Sequence, residues 1–357
     1  MEKGDENLMI DMLDSKQRKE FKRLIKLDDA VFVAGSKRSY RFMKKMQGHI
    51  EASRNYTIPI KNYSVSYFGN TETQIKGGET SLRGKDIYFL PDITRRANDW
   101  FAEIELVSDS LWRSSINSLT LLLTDVCYDT QDTKEEPHVP ISARVMADKI
   151  TKIASPNGIV TIDPHFRQFD ALFDKKTQVC VLESWPAVVR HIRKTGSVPL
   201  ENLVLVSTDI GDVRRTLKQK QGLGITTKMG LIYKEKELTG ERKIINTEFI
   251  GDVEGKDVLL VDDMIRSGKT NSNAVNLVKQ YGAERVWTYA AHPWFTDSRK
   301  KRQLIESCDG VLASNSHLHT YLKGVELVDL SWIFAEAAYR IQTDESVSSL
   351  FRLENNK

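Results

Sequence analysis

Short apolar runs alternate with longer amphipathic stretches along most of the chain, and this alternation constrains the fold more than any other feature. It begins at Ala30 and is typical of βαβ units, in which helices cover a parallel sheet. The runs predict strands at 31–34, 86–90, 119–123, 158–162, 203–206, 227–232, 258–261 and 285–289. The stretches between them predict helices such as 40–46, 100–115, 142–153, 185–195 and 271–281. We therefore expect an α/β fold built from mainly parallel sheets flanked by helices.

The alternation runs twice, with a change between Lys175 and Glu183, so we expect two similarly built domains. A length of 357 residues accommodates two domains of ~150 residues each. We predict an N-terminal domain at 29–178, a C-terminal domain at 179–335, and a C-terminal helix and tail at 336–357. Residues 1–28 form a charged N-terminal extension, in which 15–27 have a weak helical period.

Charge and cysteine usage exclude several classes of protein. The 52 Lys and Arg residues nearly balance 49 Asp and Glu residues, whereas a nucleic-acid binder usually has a concentrated basic face, so we expect no nucleic-acid partner. Three widely spaced cysteines predict neither a disulfide framework nor a structural zinc site, and they favour a reducing compartment. The N-terminus lacks an apolar signal sequence, and no apolar stretch is long enough to cross a membrane. We therefore expect a cytoplasmic protein without a membrane partner.

The segment 257–270 carries the clearest chemical signal. An apolar strand ends in the adjacent carboxylates Asp262 and Asp263, and a short loop containing Gly268 then opens a helix. The free N–H groups at a helix N-terminus bind phosphate. The two carboxylates can accept hydrogen bonds from a pair of hydroxyls or hold magnesium that arrives with the ligand. A vicinal diol close to a phosphate describes a pentose phosphate.

A Walker A loop is the competing interpretation, because 268–270 read Gly-Lys-Thr. That motif requires a second glycine five residues before Gly268, where this chain has Asp263. The spacing therefore disfavours a P-loop. An ordinary strand-turn-helix with solvent-facing acids remains a further alternative.

The same segment resembles the PRPP-binding loop of the type I phosphoribosyltransferase fold, in particular that of the ribose-phosphate pyrophosphokinase (PRPP synthetase) family. Further segments resemble family motifs in the same order over about residues 31–352. They are Phe-Gly-Asn-Thr-Glu at 68–72, Leu-Arg-Gly-Lys-Asp at 82–86, Pro-Ile-Ser-Ala-Arg at 140–144, Thr-Ile-Asp-Pro-His at 161–165, Val-Ser-Thr-Asp-Ile-Gly at 206–211 and Ser-Val-Ser-Ser-Leu-Phe at 346–351. The resemblance implies two tandem type I phosphoribosyltransferase-like domains.

The resemblance also implies a magnesium-dependent reaction in which the diphosphoryl group of ATP moves to the anomeric hydroxyl of ribose 5-phosphate. The implied acceptor-binding residues are Asp262, Asp263, Arg266, Ser267, Gly268, Lys269 and Thr270. The implied metal ligands are Asp163, His165 and Asp209, and the implied catalytic residues are Lys234, Lys236 and His165. The implied ATP-binding residues are Phe68, Asn70, Glu72, Gln131 and Asp132. Because the family completes its adenine site across a subunit interface, we expect a homo-oligomer, either a dimer or a hexamer.

Several residues depart from the family pattern. Thr130 and His138 stand where the family has arginines, and Lys236 stands where the mobile catalytic loop has an arginine. Arg266 and Lys269 add cations to the acceptor loop, where the family commonly has an acid and a small residue. Asp212 replaces the second glycine of the family's Pro-Asp-x-Gly-Gly motif.

These departures leave the acceptor open. Drift within a divergent branch keeps ribose 5-phosphate as the default, whereas cations at the phosphate end suit a more anionic acceptor such as ADP-ribose. Phage-encoded relatives use ADP-ribose in this way to rebuild NAD. A catalytically silent regulatory homologue and a PRPP-consuming phosphoribosyltransferase are further alternatives, although the latter predicts a single α/β domain.

Overall fold

The computed structural model describes residues 14–78, 81–134, 136–236 and 244–352. Its helices are α1 (Ser15–Asp29), α2 (Lys37–Arg54), α3 (Ala97–Arg113), α4 (Ser142–Lys149), α5 (Trp185–Thr195), α6 (Val213–Leu223), α7 (Lys269–Gln280), α8 (Ser298–Ser307) and α9 (Ser331–Gln342). Its strands are β1 (Ala30–Ala34), β2 (Ile60–Asn62), β3 (Ser64–Tyr67), β4 (Thr73–Lys76), β5 (Asp86–Leu90), β6 (Ser118–Leu123), β7 (Gly158–Ile162), β8 (Gln178–Leu182), β9 (Leu203–Ser207), β10 (Gly230–Lys236), β11 (Ile244–Ile250), β12 (Asp257–Ile265), β13 (Arg285–Pro293), β14 (Gly310–Ser314) and β15 (Glu326–Val328). The expected α/β class is confirmed.

The chain divides into two compact units. The first unit comprises Met1–Thr161, Gln168–Cys180 and Ser331–Val347. The second unit comprises Ile162–Arg167, Val181–Leu330 and Ser348–Lys357. The expected boundary after residue 178 lies close to one of these divisions, but the expected C-terminal domain of 179–335 also includes the start of α9, which belongs to the first unit.

Helix α9 groups with the first unit because its apolar side chains find their partners there. Phe334 makes an edge-to-face contact with Phe42 of α2, with ring centroids 5.7 Å apart. Arg23 of α1 lies over the Tyr339 ring at 5.9 Å. Of the segment expected to be a separate C-terminal helix and tail, residues 336–347 therefore belong to the first unit, whereas 348–352 belong to the second.

The first unit contains a six-stranded sheet in the order β2-β1-β5-β6-β7-β8. Strand β1 pairs in parallel with β2 and β5, and β6 pairs in parallel with β5 and β7. A separate antiparallel hairpin is formed by β3 and β4. The apolar runs did not predict this hairpin, because its strands are short and largely exposed.

A buried ion pair underlies the turn after β1. Glu103 of α3 is fully buried and accepts a hydrogen bond from Arg95 Nε at 2.5 Å. A Cβ atom added to Gly35 would lie 1.7 Å from Glu103 Oε1. The turn therefore requires glycine, because the carboxylate occupies the space that any larger side chain would take.

The second unit contains a seven-stranded sheet in the order β11-β10-β9-β12-β13-β14-β15. All neighbours are parallel except β10 and β11, which are antiparallel. The central strand β12 includes the fully buried run 258–261, as expected for a parallel strand covered on both faces. The apolar core of the second unit includes side chains of α7 and α8. The carboxyl ends of β9 and β12 lie side by side, which brings their following loops together.

The strand expected at 227–232 is shifted, since β10 runs from Gly230 to Lys236. It pairs with β9 at its start and with β11 along its length, so hydrogen bonding extends it beyond the apolar run.

Among the described residues, no helix combines the length and apolar character needed to span a lipid bilayer.

Candidate active site

The adjacent carboxylates Asp262 and Asp263 lie at the carboxyl end of β12 and are both buried. The backbone N–H of Asp263 donates to Asp262 Oδ1 at 3.0 Å. Asn271, in the first turn of α7, donates to Asp262 Oδ2 at 2.9 Å. Both oxygens of the Asp262 carboxylate are therefore held by hydrogen bonds, which fix its orientation.

The loop after β12 leads into the N-terminus of α7 at Gly268. Gly268 has φ +100°, a conformation that a residue with a side chain rarely adopts. A Cβ atom at Gly268 would also lie 3.3 Å from the backbone oxygen of Lys300. Gly268 itself has no side chain to cap this helix end, and of the first N–H groups that of Lys269 donates to Ser267 Oγ at 3.3 Å. This geometry suits a phosphate ligand.

The loop after β9 supplies two further carboxylates, Asp209 and Asp212. The backbone N–H of Asp212 donates to Asp209 Oδ1 at 3.0 Å. Asp212 Oδ2 in turn accepts from the backbone N–H of Asp263 at 3.2 Å. The loops after β9 and β12 are thus joined by hydrogen bonds through Asp212.

His165 and Asp163 follow β7 and belong to the second unit. His165 Nδ1 lies 2.5 Å from Asp263 Oδ2. Asp163 has φ +42° and its carboxylate accepts from the backbone N–H of Ser184 at 3.1 Å. His165 therefore reaches the acidic pair, whereas Asp163 is engaged with the start of α5.

These residues line one cavity of about 610 Å³ in the second unit. The predicted site residues that line it are His165, Asp209, Lys234, Asp262, Asp263, Arg266, Ser267, Gly268 and Thr270. Lys269 is exposed and is not among the lining residues, and neither is Asp163, which lines a neighbouring cavity. The structure therefore brings together most of the predicted acceptor site.

The two carboxyl groups of the pair have opposite pKa shifts. Burial raises the pKa of Asp262, with the charges of Asp263 and Asp209 adding to the effect. Burial also opposes ionisation of Asp263, but the hydrogen bond from His165 and the charge of Arg215 outweigh it and lower the pKa of Asp263. Asp263 is therefore the more readily ionised member of the pair.

The carboxylates also suit a hard divalent cation. Asp209, Asp212 and Asp262 each offer an oxygen, and these oxygens all lie within 4.8 Å of one another. Carboxylate oxygens are the ligands that magnesium prefers. Of the predicted metal ligands, Asp209 belongs to this group, whereas Asp163 and His165 do not. The other two members are Asp212 and Asp262.

The two predicted catalytic lysines lie in the last three residues of β10. Lys234 is within β10, and its charge acts on Asp262. Lys236 is the last residue of β10 and pairs with Ile244 of β11. The rest of the expected loop, 237–243, lies outside the described residues.

The predicted ATP-binding residues lie in the first unit. Phe68, Asn70 and Glu72 are exposed in the tip of the β3–β4 hairpin, where Asn70 Oδ1 accepts from the Glu72 backbone N–H at 3.3 Å. Gln131 and Asp132 are half-buried in the loop before α4, and the Gln131 carbonyl accepts from the Ala143 backbone N–H at 3.2 Å. Phe68 is 50% exposed and its neighbour Tyr67 is 49% exposed.

Sequence reasoning missed Asn271 and Arg215 as members of the site. Arg215 follows Asp212 by three residues, a spacing that places both on one side of a helix start, and the two form an ion pair. Asn271 occupies the first turn of α7, where a polar residue is usually explained by capping. Helical spacing could have indicated Arg215, but nothing in the sequence indicated that Asn271 contacts Asp262.

Comparisons with known proteins agree with this geometry. Residues 39–153 match the family model for the N-terminal domain of ribose phosphate pyrophosphokinase, and residues 233–352 match the model for the phosphoribosyl synthetase-associated domain. The chain is 31% identical to a ribose-phosphate pyrophosphokinase of Helicobacter hepaticus, over 84% of this chain and 94% of that protein. It is 32% identical to one from Aquifex aeolicus, over 80% of this chain and 90% of that protein.

A solved structure supports the same relationship. Phosphoribosylpyrophosphate synthetase from Mycobacterium smegmatis matches with a TM-score of 0.74 and 25% identity, covering 88% of this chain and 99% of that chain. The expected pair of phosphoribosyltransferase-like domains is thereby confirmed. The chain belongs to the ribose-phosphate pyrophosphokinase family.

Proposed function

We propose that this protein transfers the β,γ-diphosphoryl group of ATP to the anomeric hydroxyl of ribose 5-phosphate, giving PRPP and AMP. The observation that carries the proposal is the cavity of the second unit, which combines a buried carboxylate pair with the helix N-terminus at Gly268. The relatives' names indicate the same reaction class.

The acidic pair accounts for recognition of the sugar. Asp262 and Asp263 accept hydrogen bonds from the 2- and 3-hydroxyls, and charge-assisted bonds of this kind are stronger than neutral ones. The loop residues Ser267, Gly268 and Thr270 surround the 5-phosphate at the start of α7. The acceptor is thus held at both ends, which orients its anomeric hydroxyl.

The transfer forms a bond between the anomeric oxygen and the β-phosphorus of ATP and breaks the bond between that phosphorus and the oxygen bridging to the α-phosphorus. AMP leaves with the bridging oxygen. We assign His165 the removal of the hydroxyl proton, because it lines the cavity and is oriented by Asp263. Lys234 lines the same cavity and places a positive charge beside the transferring group.

Magnesium fits the carboxylate oxygens of Asp209 and Asp262, since the charge of the third carboxylate of this group, Asp212, is already compensated by Arg215. When bound, it neutralises phosphate charge during the transfer. The protein's own contribution is to hold these oxygens close together at the carboxyl ends of the adjacent strands β9 and β12.

The ATP site is proposed to lie in the first unit and to be completed by a second copy of the chain. Phe68 and Tyr67 are each about half exposed at the hairpin, at 50% and 49%. Exposed aromatic rings are suited to stacking on a purine and to a subunit interface. We therefore propose a homo-oligomer, either a dimer or a hexamer.

ADP-ribose is the second candidate acceptor. Arg266 is exposed and lines the acceptor cavity, so it can contact an additional phosphate group. Lys269 does not line the cavity, and only one of the two added cations therefore supports this alternative. In both cases the chemistry at the anomeric hydroxyl is the same.

The test is product analysis of purified protein with ATP and magnesium, offered ribose 5-phosphate or ADP-ribose separately. We expect AMP and PRPP with ribose 5-phosphate. AMP formed only with ADP-ribose would establish the second acceptor. Without acceptor-dependent AMP the protein would instead be a silent homologue, a result that would overturn the enzymatic proposal.

A further inference from the structure

Asp212 joins three parts of the acceptor site through separate hydrogen bonds. Its Oδ2 atom accepts from the backbone N–H of Asp263 at 3.2 Å, and its Oδ1 atom accepts from Arg215. Its own backbone N–H donates to Asp209 at 3.0 Å. Asp212 is buried, at 5% exposure, so these bonds are shielded from water.

Arg215 connects this carboxylate to the segment after β7. It extends from α6 and is largely buried, with its side chain 14% exposed. Its Nε atom lies 3.7 Å from Asp163 Oδ1, within ion-pair distance but beyond a hydrogen bond. One guanidinium is therefore shared between Asp212 and Asp163.

Asp163 occupies a backbone conformation that needs outside support. Its φ of +42° is uncommon for a residue other than glycine. The buried His292 contacts its backbone oxygen through Nε2 at 3.0 Å, and Ser184 donates to its carboxylate. Arg215 adds an ionic contact to the same residue, so the turns after β7 and β9 are tied to one cation.

We propose that Asp212 and Arg215 act as a positioning pair that holds the backbone of Asp263, and through it the acidic pair, in the geometry required by the acceptor. Asp212 acts on the reaction indirectly, through the hydrogen bond that it accepts from the backbone N–H of Asp263. The inference rests on the proposed function, and it gives a role to a residue that stands where the family pattern has glycine.

Two other roles predict different results. A direct metal ligand would change the magnesium requirement, because its loss removes an oxygen from the coordination sphere. A purely structural ion pair would change stability without changing acceptor affinity selectively.

A matched control exists at the opposite end of β12, where buried Asp257 accepts two hydrogen bonds from Arg285, at 2.9 Å and 2.6 Å.

The experiment compares the full-length wild type with Asp212→Asn, Asp212→Gly and the control Asp257→Asn. Asp212→Asn keeps one acceptor oxygen but loses the charge, whereas Asp212→Gly removes both bonds. We expect the KM for ribose 5-phosphate to rise roughly threefold in the first and at least tenfold in the second. The KM for ATP and the magnesium concentration for half-maximal rate are expected to stay within about twofold of wild type. Asp257→Asn leaves all three values unchanged.

Hydrogen exchange of peptides covering 262–268 provides a readout that does not depend on activity. We expect faster exchange at Asp263 in both Asp212 variants than in Asp257→Asn, because only they alter one of the two acceptors of that N–H group, the other being Asp262 Oδ1. If Asp212→Gly does not fold, Asp212→Asn still decides the outcome. A wild type inactive with both acceptors would overturn the proposed function, and exchange alone would then decide the positioning role.

The inference is overturned by unchanged exchange at Asp263. It is also overturned by equal rises in the ribose 5-phosphate and ATP KM values, or by a shifted magnesium requirement with an unchanged acceptor KM.

Discussion

His165 Nδ1 and Asp263 Oδ2 lie 2.5 Å apart, so the segment after β7 is joined to the end of β12. His165 is the more exposed partner, with its side chain 37% exposed against 10% for Asp263. The contact lowers the pKa of Asp263 although burial opposes this, while burial raises the pKa of Asp262. Two adjacent carboxylates in the same strand are thereby made chemically different.

Replacing the two carboxylates is expected to abolish use of the acceptor. Asp262→Asn and Asp263→Asn each substitute an amide for one oxygen acceptor, and the double variant should lose at least a hundredfold in kcat/KM for the sugar, roughly 3 kcal/mol. The measurement is steady-state kinetics with varied ribose 5-phosphate, and Asp257→Asn is the control on the same strand. A double variant with wild-type turnover would refute the assignment of the diol contact.

Gly268→Ala is expected to impair acceptor binding more than folding. The new side chain would be strained at φ +100° and would meet the Lys300 backbone at 3.3 Å, so the phosphate loop must shift. We expect the KM for ribose 5-phosphate to rise about tenfold or more. Gly196→Ala is the matched control, since Gly196 has φ +65° at the end of α5 and a Cβ atom added there would meet no other described residue within 4 Å apart from its chain neighbours. Equal kinetic effects in the two variants would contradict a role for the loop.

The two added cations of the acceptor loop are expected to behave differently. Arg266 lines the cavity and Lys269 does not, so Arg266→Ala should change the ratio of kcat/KM values for ADP-ribose and ribose 5-phosphate, while Lys269→Ala should leave it unchanged. Loss of a charge-assisted contact to the extra phosphate would lower that ratio by roughly tenfold. An unchanged ratio in both variants would remove the argument for a more anionic acceptor.

The sequence predicted the elements of the fold best where burial alone defines them. The strands 86–90 and 158–162 have the predicted bounds because each is a compact apolar run between clear breaks. The helix 185–195 also has the predicted bounds, because it is an amphipathic stretch with Pro186 in its first turn and Gly196 directly after it. The acidic pair was identifiable because it follows a buried strand directly. By contrast, the contacts of Asn271 with Asp262 and of Asp212 with Asp263 depend on how separate loops meet. The exclusion of Lys269 from the cavity depends on the rotation of α7, which charge patterns do not determine.

The buried Glu103 predicts a pH dependence of stability. Burial raises its pKa from 4.5 to about 7, although Arg95 acts in the opposite direction. The folded state therefore binds the proton more tightly than the unfolded chain. The contribution of Glu103 to stability is full below pH 4.5, declines as pH rises towards 7, and levels off above it, an effect on the order of 3 kcal/mol.

Chemical denaturation of wild type and Glu103→Gln between pH 5 and pH 8 measures this effect. We expect the free energy of unfolding of wild type, relative to Glu103→Gln, to fall as pH rises, because glutamine does not titrate. A difference that stays constant or increases with pH would contradict the raised pKa.

The central claim, diphosphoryl transfer to a sugar, is tested most directly with ATP labelled at the β-phosphorus. The protein is incubated with this ATP, magnesium and ribose 5-phosphate, and the products are separated. The account predicts that the label moves to the sugar product and that one AMP forms for each labelled sugar. Label retained in ADP, or AMP formed equally well without the sugar, would contradict it.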